Sequence, residues 1–473
     1  MQVVKNYLYN AIYQVFILLV PLITIPYLAR TLGPVGVGIN SYTNSIIQYF
    51  ILFGSIGVSL YGNRQIAFVR DDREKMSRTF FEILLMRIIT ISCAFIFFLV
   101  FMCFVKEYRS YYWAQSVSIL AAAFDISWFF MGIEDFAITV LRNLFVKILT
   151  LVCIFTFVKS YNDLDSYILI LSLSLLIGNL TLFPSLRKYV TLPNLKSIHP
   201  WCHLRPSLLL FIPQMATQIY LIVNKTMLGS MTSVRAAGYF DQSDKIIKMV
   251  LAVVTATGMV MLPHVANAFM NGKLDKTKEY LYRSFSFVTA LSIPMLFGLI
   301  AVAHKFVPLF FTNKFSMVAP LMMLESVVVL FVSWGSAVGN QYLLPTKQMK
   351  SYTTSVILGA IVNVFSNIPL IHLWGATGAT IATIASEMTV SGFQILSIKR
   401  QIKYHLLFED FGKYLLSGIL MFGVVVVVDY STPVSWFCLI GEVSLGIVVY
   451  VFSLWAFKTK ILEQACQLFI NRR

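Results

Sequence analysis

Residues 125–147, DISWFFMGIEDFAITVLRNLFVK, place charged side chains between two long apolar runs. The charged residues are Asp125, Glu134, Asp135, Arg142 and Lys147. A charge near the centre of a bilayer costs roughly 2.5–3.5 kcal/mol even on the mildest insertion scale, so such a residue normally faces water, a partner charge or a substrate. The stretch therefore raises the central question of this chain, which is what these charges face.

The composition indicates a polytopic, all-α membrane protein. Of the 473 residues, 58% are hydrophobic and 12% are charged, whereas average soluble domains are about 25% charged. Apolar runs of about 20 residues recur from end to end, and each is long enough to cross a hydrocarbon core of about 30 Å. Because the runs are continuous rather than alternating, a β-barrel is disfavoured.

The apolar runs predict about 14 transmembrane helices. The predicted spans are 10–29, 41–61, 80–104, 112–132, 137–158, 165–183, 207–229, 238–268, 284–303, 317–342, 352–371, 375–397, 414–429 and 434–456. With the N-terminus in the cytoplasm, 24 Lys and Arg residues fall on the inner side and 7 on the outer side. This bias follows the positive-inside rule and predicts a multi-pass membrane protein with both termini cytoplasmic. It also accounts for the net charge of +16 without a nucleic-acid partner.

A weak internal repeat predicts the domain organisation. Leu32–Gly33 aligns with Leu228–Gly229, and Gly38 aligns with Gly238. Six predicted spans separate the two copies, so the copies share one orientation in the membrane. The predicted domains are an N-terminal six-helix lobe (1–195), a C-terminal six-helix lobe (196–405), and two extra helices with a cytoplasmic tail (406–473).

Six cations remain inside the predicted spans and suit an anionic passenger such as a phosphate or diphosphate. They are Arg87, Arg142, Lys147, Lys225, Lys245 and Lys248. Helix rise places Asp125 and Arg142 at similar depth on an antiparallel hairpin, so a structural ion pair between them is one prediction. Ion coupling by Asp125 is the alternative. Lys147 falls near the midplane without an obvious local partner, and it is the sharper candidate for binding a passing phosphate.

Four cations within or next to the predicted spans have alternative roles that do not involve a substrate, and these alternatives stay open. Arg30 and Lys225 occupy nearly equivalent places in the two repeats, where their side chains can reach the interface. Asp241–Lys245 and Asp244–Lys248 are i,i+4 pairs in the favourable order, so this helix face can neutralise itself.

Single acids occur within apolar spans at Glu325, Glu387 and Glu442. Glu387 lies near the predicted midplane and is the best lone candidate for coupling to H⁺ or Na⁺. Pro21, Pro26 and Pro213 can bend the leading helix of each lobe and are predicted gating positions.

The sequence predicts no metal, no cofactor, no disulfide and no catalytic residue. The six cysteines form no CxxC pair. His199 and His203 are separated by Pro200 in the linker 184–206, where a solvated interfacial loop is favoured over a metal site.

Five segments resemble the Wzx-type polysaccharide flippases of the multidrug/oligosaccharidyl-lipid/polysaccharide exporter superfamily. They are IPYLARTLGPVGVGINSYTNSI (25–46), DISWFFMGIEDFAITVLRNLFVKI (125–148), DKIIKMV (244–250), NQYLLPTKQMKSYTTSVILGAIVNVFSNIPLI (340–371) and WGATGATIATIASE (374–387). Arg30, Arg142 and Lys147 lie within the matching motifs. Met131 replaces a common Gln and Asn224 replaces a common acid, which weakens the case for ion coupling at position 224.

The resemblance implies a flippase that moves an undecaprenyl-diphosphate-linked oligosaccharide from the inner to the outer leaflet by alternating access. It implies a location in the bacterial cytoplasmic (inner) membrane and a role in capsule, exopolysaccharide or O-antigen synthesis, with membrane lipids, a polysaccharide polymerase and assembly proteins as partners. The alternatives are a peptidoglycan-precursor lipid flippase, a drug/cation antiporter of the same superfamily and, from another class, an integral-membrane glycan polymerase. A polymerase usually needs a sizeable extracytoplasmic loop, and the sequence predicts none.

Overall fold

The computed structural model describes residues 2–194 and 198–462. The side chains at positions 2–18, 136, 212–214, 257, 259 and 260 lie outside that description. The helices are α1 (Gln2–Ser55), α2 (Val58–Val69), α3 (Arg73–Phe104), α4 (Arg109–Ala123), α5 (Ser127–Gly132), α6 (Phe136–Phe157), α7 (Leu164–Leu180), α8 (Phe183–Leu186), α9 (Leu204–Met231), α10 (Val234–Met270), α11 (Leu274–Phe310), α12 (Val318–Gly335), α13 (Met349–Trp374), α14 (Ala376–Ser397), α15 (Tyr404–Leu407), α16 (Phe411–Ser431) and α17 (Trp436–Ala456). Short 3₁₀ turns and a π-helical turn complete the helical structure, and the described residues contain no β-strand. The predicted all-α membrane fold is confirmed.

The described helices include ten that are long and apolar enough to cross a membrane, or twelve when two bent pairs each count as one span. The first of the ten, Leu19–Val69, has 51 residues and at 1.5 Å per residue would extend about 77 Å, more than twice a bilayer core. It contains the predicted span 41–61 and the second half of the predicted span 10–29. Helix α14 coincides with another predicted span, 375–397, although it is not among the ten.

The first long helix is broken at a glycine rather than at its first two prolines. Within α1, non-helical backbone angles occur at Gly33, with φ 66° and ψ 179°. This left-handed φ favours glycine, and Pro34 then removes a backbone N–H from the following turn. Pro21 and Pro26 lie inside helical backbone, so their predicted gating role stays a prediction.

The chain divides into two compact units, Met1–Gly238 and Tyr239–Arg473. The division falls within α10, whereas the predicted domain boundaries lie in the linker and after α14. In the first unit, α1 packs against α3, α4, α6 and α9. In the second unit, α11 packs against α12, α16 and α17, while α13 pairs with α14.

Two glycines that the internal repeat aligns lie against each other in the first unit. A Cβ atom added to Gly238 would lie 2.9 Å from the Cα of Gly38, and one added to Gly38 would lie 1.9 Å from the carbonyl oxygen of Val234. No larger residue fits this crossing of α1 and α10 without backbone movement. The repeat therefore marks a point of close helix approach.

The aromatic residues of the 125–147 stretch form part of the first unit's core. Trp128, Phe129 and Phe130 are fully buried. Trp128 stacks on Phe80 of α3 with ring centroids 5.6 Å apart. A Cβ added to Gly62 of α2 would lie 2.5 Å from the Trp128 ring. This packing holds α5 against α2 and α3 and fixes the position of the neighbouring charges.

Candidate functional site

The predicted fourth span is interrupted beside Asp125. Helix α4 ends at Ala123 and α5 begins at Ser127. The Asp125 Oδ1 accepts hydrogen bonds from the Ser127 backbone N–H at 3.0 Å and from the Ser127 hydroxyl at 2.6 Å. The first N–H groups of a helix have no acceptor within the helix. The Asp125 carboxylate supplies an acceptor for the first N–H of α5 and so favours the start of this helix.

Arg87 of α3 holds the other side of this helix break. Its Nη2 lies 3.2 Å from the Asp125 Oδ2, and its Nε donates to the Ala122 carbonyl at 2.6 Å. The Arg87 residue is only 3% exposed. The ion-pair partner that the structure gives Asp125 is therefore Arg87, which reaches the carboxylate from a neighbouring helix that sequence depth alone did not identify, while the Arg142 charge also acts on this carboxylate.

Arg142 of α6 reaches the same break through an amide. Its Nη1 donates to the Asn179 Oδ1 at 3.1 Å, and the Asn179 Nδ2 donates to the Ala121 carbonyl at 2.7 Å. Asn179, on α7, was absent from the predicted site. The amide orients the Arg142 guanidinium, whose charge also acts on the Asp125 carboxylate.

Lys147 lies five residues after Arg142 on α6, at a cavity inside the first unit. The cavity has a volume of about 220 Å³. Its lining includes Thr24 of α1, Asn143 and Thr150 of α6, and Tyr167 and Ser174 of α7, and both Arg142 and Lys147 contribute to it. No Asp or Glu is among the lining residues that the structure describes. Within residues 2–194 and 198–462, the Lys147 ammonium, which is half-buried, has no hydrogen-bond or ion-pair partner.

The remaining acids of the 125–147 stretch contact groups away from the cavity. Glu134 forms a salt bridge with Arg70 at 2.8 Å, and both side chains are exposed. Asp135 accepts a hydrogen bond from the Tyr189 hydroxyl at 2.7 Å. Burial, together with this hydrogen bond, raises the pKa of Tyr189 to about 12, so its phenol remains a donor at neutral pH. The cavity is therefore lined by cationic, neutral polar and apolar side chains, with no acid among the lining residues that the structure describes.

The other predicted cations do not line this cavity. Lys245 contacts Asp241 at 2.5 Å and Lys248 contacts Asp244 at 2.7 Å, so the expected i,i+4 pairs form on α10. Arg30 is exposed and Lys225 is half-buried; each has an interaction partner of its own. Their proposed contact with substrate stays a prediction.

Glu387 is buried on α14 and has an interaction partner, so it is not an isolated acid. In the same unit, Glu325 accepts a hydrogen bond from the Ser243 hydroxyl at 2.5 Å. Asn363 and Asn367 are fully buried and bonded to each other at 3.0 Å. Pro213 lies within α9, but its side chain is outside the described part of the chain.

The linker histidines take part in a hydrogen-bonded cluster at the start of α3. His203 Nε2 lies 2.9 Å from Glu82 Oε2, and the Tyr61 hydroxyl lies 2.7 Å from His203 Nδ1. Glu82 Oε1 accepts from Arg78 Nε at 3.0 Å and from the His199 backbone N–H at 2.9 Å. Cys202 completes a group whose ligand-type atoms lie within 4.8 Å of one another. Since Glu82 already accepts from several donors, the geometry is that of a hydrogen-bonded anchor for the linker.

A polytopic helical bundle with a cationic cavity among its helices is the architecture of a multi-pass membrane transporter. Residues 3–269, more than half of the chain, match the family model described as "Polysaccharide biosynthesis protein". The chain belongs to this family, and the resemblance found in its motifs is confirmed.

Curated relatives agree with this assignment. A protein of Escherichia coli strain K12 named "Putative O-antigen transporter" is 22% identical over 405 residues, covering 84% of this chain and 96% of that protein. The lipid II flippase MurJ of Bacillus subtilis strain 168 is 22% identical over 163 residues, covering 34% of this chain and 30% of that protein.

Solved structures share the fold. The inward closed conformation of lipid II flippase MurJ matches with a TM-score of 0.78 at 14% identity, covering 97% of this chain and 100% of that one. An inward-facing multidrug resistance MATE family transporter matches with a TM-score of 0.61 at 14% identity, covering 81% and 98%. At these identities the likeness concerns the fold alone.

Proposed function

We propose that this protein moves a polyprenyl-diphosphate-linked oligosaccharide, such as an undecaprenyl-diphosphate repeat unit, from the cytoplasmic to the outer leaflet by alternating access. The product serves surface polysaccharide synthesis: capsule, exopolysaccharide or O-antigen. The diphosphate enters the cavity of the first unit, while the lipid tail stays in the bilayer and the glycan remains hydrated. This transport makes and breaks no covalent bond.

The single observation that carries the proposal is the pair of cations at a cavity that has no acid among its described lining residues. At an effective dielectric constant of 20, two unit charges 4 Å apart attract by about 4 kcal/mol. Arg142 offers a planar guanidinium held by Asn179, and Lys147 offers a compact ammonium with three rotatable donors. A diphosphate with two phosphoryl groups matches this pair in charge sign and in its need for donors.

The cavity size supports binding of a hydrated headgroup. Its volume of about 220 Å³ is large enough to hold several water molecules. Hydroxyl and amide groups at Thr24, Asn143 and Ser174 can keep such water ordered. The headgroup can therefore replace part of its hydration shell with protein donors while ordered water solvates the rest.

The proposed orientation follows from the charge count in the loops. With both termini in the cytoplasm, the cation-rich loops face the compartment where lipid-linked sugars are assembled. The membrane is then the bacterial inner membrane, and a polysaccharide polymerase with assembly proteins would receive the product on the outer side.

The translocation assay should use proteoliposomes loaded with a fluorescent polyprenyl-diphosphate oligosaccharide and a reporter that detects the outer leaflet. Wild-type protein should accelerate exposure of the diphosphate-linked glycan severalfold over protein-free vesicles. Lipid II, whose transporter shares this fold, is the discriminating second substrate. Faster movement of lipid II than of the oligosaccharide would replace the proposed substrate with a peptidoglycan precursor.

We also propose that Glu387 couples transport to an ion gradient. Its burial on α14 gives a carboxyl group that can exchange H⁺ or Na⁺ during the cycle. Glu387→Gln should make translocation insensitive to an imposed H⁺ or Na⁺ gradient. A variant that still responds fully to dissipation of the gradient excludes this role.

A further inference from the structure

Three metal-ligating side chains meet in the first unit, where the linker lies against α3. Glu82 belongs to α3, while Cys202 and His203 belong to the short 3₁₀ turn that precedes α9. One ligand atom from each residue (a carboxylate oxygen, a sulfur and an imidazole nitrogen) lies within 4.8 Å of the other two. Glu82 and His203 are 121 residues apart in the chain, so the spacing of the linker histidines alone could not reveal this group.

The two oxygens of Glu82 have different partners. Oε1 accepts from Arg78 Nε at 3.0 Å and from the His199 backbone N–H at 2.9 Å. Within residues 2–194 and 198–462, the hydrogen-bond partner of Oε2 is His203 Nε2, at 2.9 Å. Because an ionised carboxylate can only accept, the proton of this bond is carried by Nε2. A metal ion that replaces this single proton leaves both contacts of Oε1 in place.

The distance between Oε2 and Nε2 is close to that of two ligands on one ion. Zinc bonds to nitrogen and oxygen are about 2.0–2.1 Å long, so two such ligands at a tetrahedral angle lie about 3.3 Å apart. The observed 2.9 Å therefore needs to widen by only a few tenths of an ångström. The Tyr61 hydroxyl, 2.7 Å from His203 Nδ1, holds the ring with Nε2 toward Glu82. A contact to the second ring nitrogen is typical of metal-bound histidines.

Cys202 supplies the ligand that selects the class of metal. Its side chain is exposed, and among the described residues its Sγ has no hydrogen-bond partner. The thiol can therefore lose its proton to solvent without breaking a contact. Thiolate, imidazole and carboxylate together suit a borderline-soft ion such as Zn²⁺, whereas Mg²⁺ and Ca²⁺ take oxygen ligands. Since Glu82 and His203 are buried, an ion would reach the site from the side of Cys202.

We propose that Glu82, Cys202 and His203 form a three-ligand site for a Zn²⁺-class ion, with water as the fourth ligand. On binding, Cys202 releases its thiol proton, and the imidazole proton moves from Nε2 to Nδ1, where the Tyr61 oxygen accepts it. The ion then joins the turn before α9 directly to α3, in place of one hydrogen bond. This inference concerns the first unit alone and does not depend on the proposed substrate.

Titration of untagged, metal-free, full-length protein with Co²⁺ tests the site, because a thiolate bound to Co²⁺ has a charge-transfer band in the near ultraviolet. Wild-type protein should develop this band at one Co²⁺ per chain, and Zn²⁺ should displace it. Cys202→Ser should lack the band and should still fold, because the Sγ makes no hydrogen bond among the described residues. Cys103→Ser changes an exposed cysteine of α3, and this matched control should keep the band.

X-ray absorption at the zinc edge gives a second measurement. Zinc-loaded wild-type protein should show one sulfur at about 2.3 Å and nitrogen or oxygen ligands at about 2.0–2.1 Å. A wild-type protein without the cobalt band would overturn the proposal and leave the cluster as a hydrogen-bonded anchor only. A cobalt band or zinc–sulfur contact that persists in Cys202→Ser would also overturn it, because the ion would then be bound adventitiously by another cysteine.

Discussion

Arg87 and Lys147 are both cations within apolar helices of the first unit, yet their surroundings differ. Arg87 is 3% exposed, contacts the Asp125 carboxylate and donates to the Ala122 carbonyl at the break between α4 and α5. Lys147 is half-buried at a cavity and has no partner in the part of the chain that the structure describes. A charge inside a membrane span is thus a candidate for substrate binding only where its neighbours leave it unneutralised.

Replacing Arg87 should have the largest effect on folding. Arg87→Ala leaves the Asp125 carboxylate buried without its counter-charge, which should lower the free energy of unfolding by about 3–5 kcal/mol. The measurement is the unfolding midpoint in detergent, with Lys147→Ala as the contrasting variant of the same unit. The distinction between the two cations fails if Arg87→Ala unfolds at the wild-type midpoint.

Asp125→Asn should have a smaller effect of the same kind. The amide can still accept from Ser127 but removes the ion pair with Arg87, so we expect a loss of about 1–3 kcal/mol. Expression, detergent stability and translocation should fall together. Unchanged stability with abolished translocation would instead favour ion coupling by Asp125 over its structural role.

Asn179→Asp should place a carboxylate next to Arg142, as Asp125 lies next to Arg87. A carboxylate in place of the amide competes with the headgroup for the guanidinium, and a loss of about 1.4 kcal/mol of headgroup attraction corresponds to tenfold weaker binding. Translocation measured at limiting substrate should fall about tenfold, with a modest loss of stability from the missing bond to Ala121. Wild-type translocation in this variant would show that the Arg142 charge is dispensable.

Lys248→Ala should have the smallest effect. Its i,i+4 pair with Asp244 is exposed, and such helix pairs contribute about 0.3–0.5 kcal/mol. Thermal stability in detergent and translocation should both stay close to wild type. A translocation defect as large as that of Lys147→Ala would place this face of α10 in the substrate path.

Hydropathy alone predicted the fold class, because a membrane core demands long apolar helices whatever their packing. The i,i+4 pairs on α10 were also predictable, since helix geometry fixes which residues meet. The lack of a local partner for Lys147 followed from the same local reasoning. Predicting these features needs only the geometry of one helix or one hairpin.

The features that sequence missed depend on contacts between distant segments. The Asp125 partner lies 38 residues away on α3, and the break at Phe124–Ile126 has no proline or glycine to announce it. The predicted span 284–303 leaves Lys305 in a loop, whereas α11 extends to Phe310 and buries this lysine. The Asn in LSLSLLIGNL (171–180) was the available signal for Asn179, as a single amide in an otherwise apolar span.

In the proposed mechanism, Lys147 binds the diphosphate of the passenger lipid. Its most direct test is the initial rate of leaflet translocation in proteoliposomes for Lys147→Ala and Lys147→Arg, with Lys106→Ala, an exposed lysine of the same unit, as the control. Loss of one charge-assisted contact, about 1.5–3 kcal/mol, should slow Lys147→Ala roughly 10- to 100-fold at limiting substrate. Lys147→Arg should retain part of the rate and Lys106→Ala all of it. Wild-type rates for Lys147→Ala, in protein that inserts and folds normally, would contradict the account.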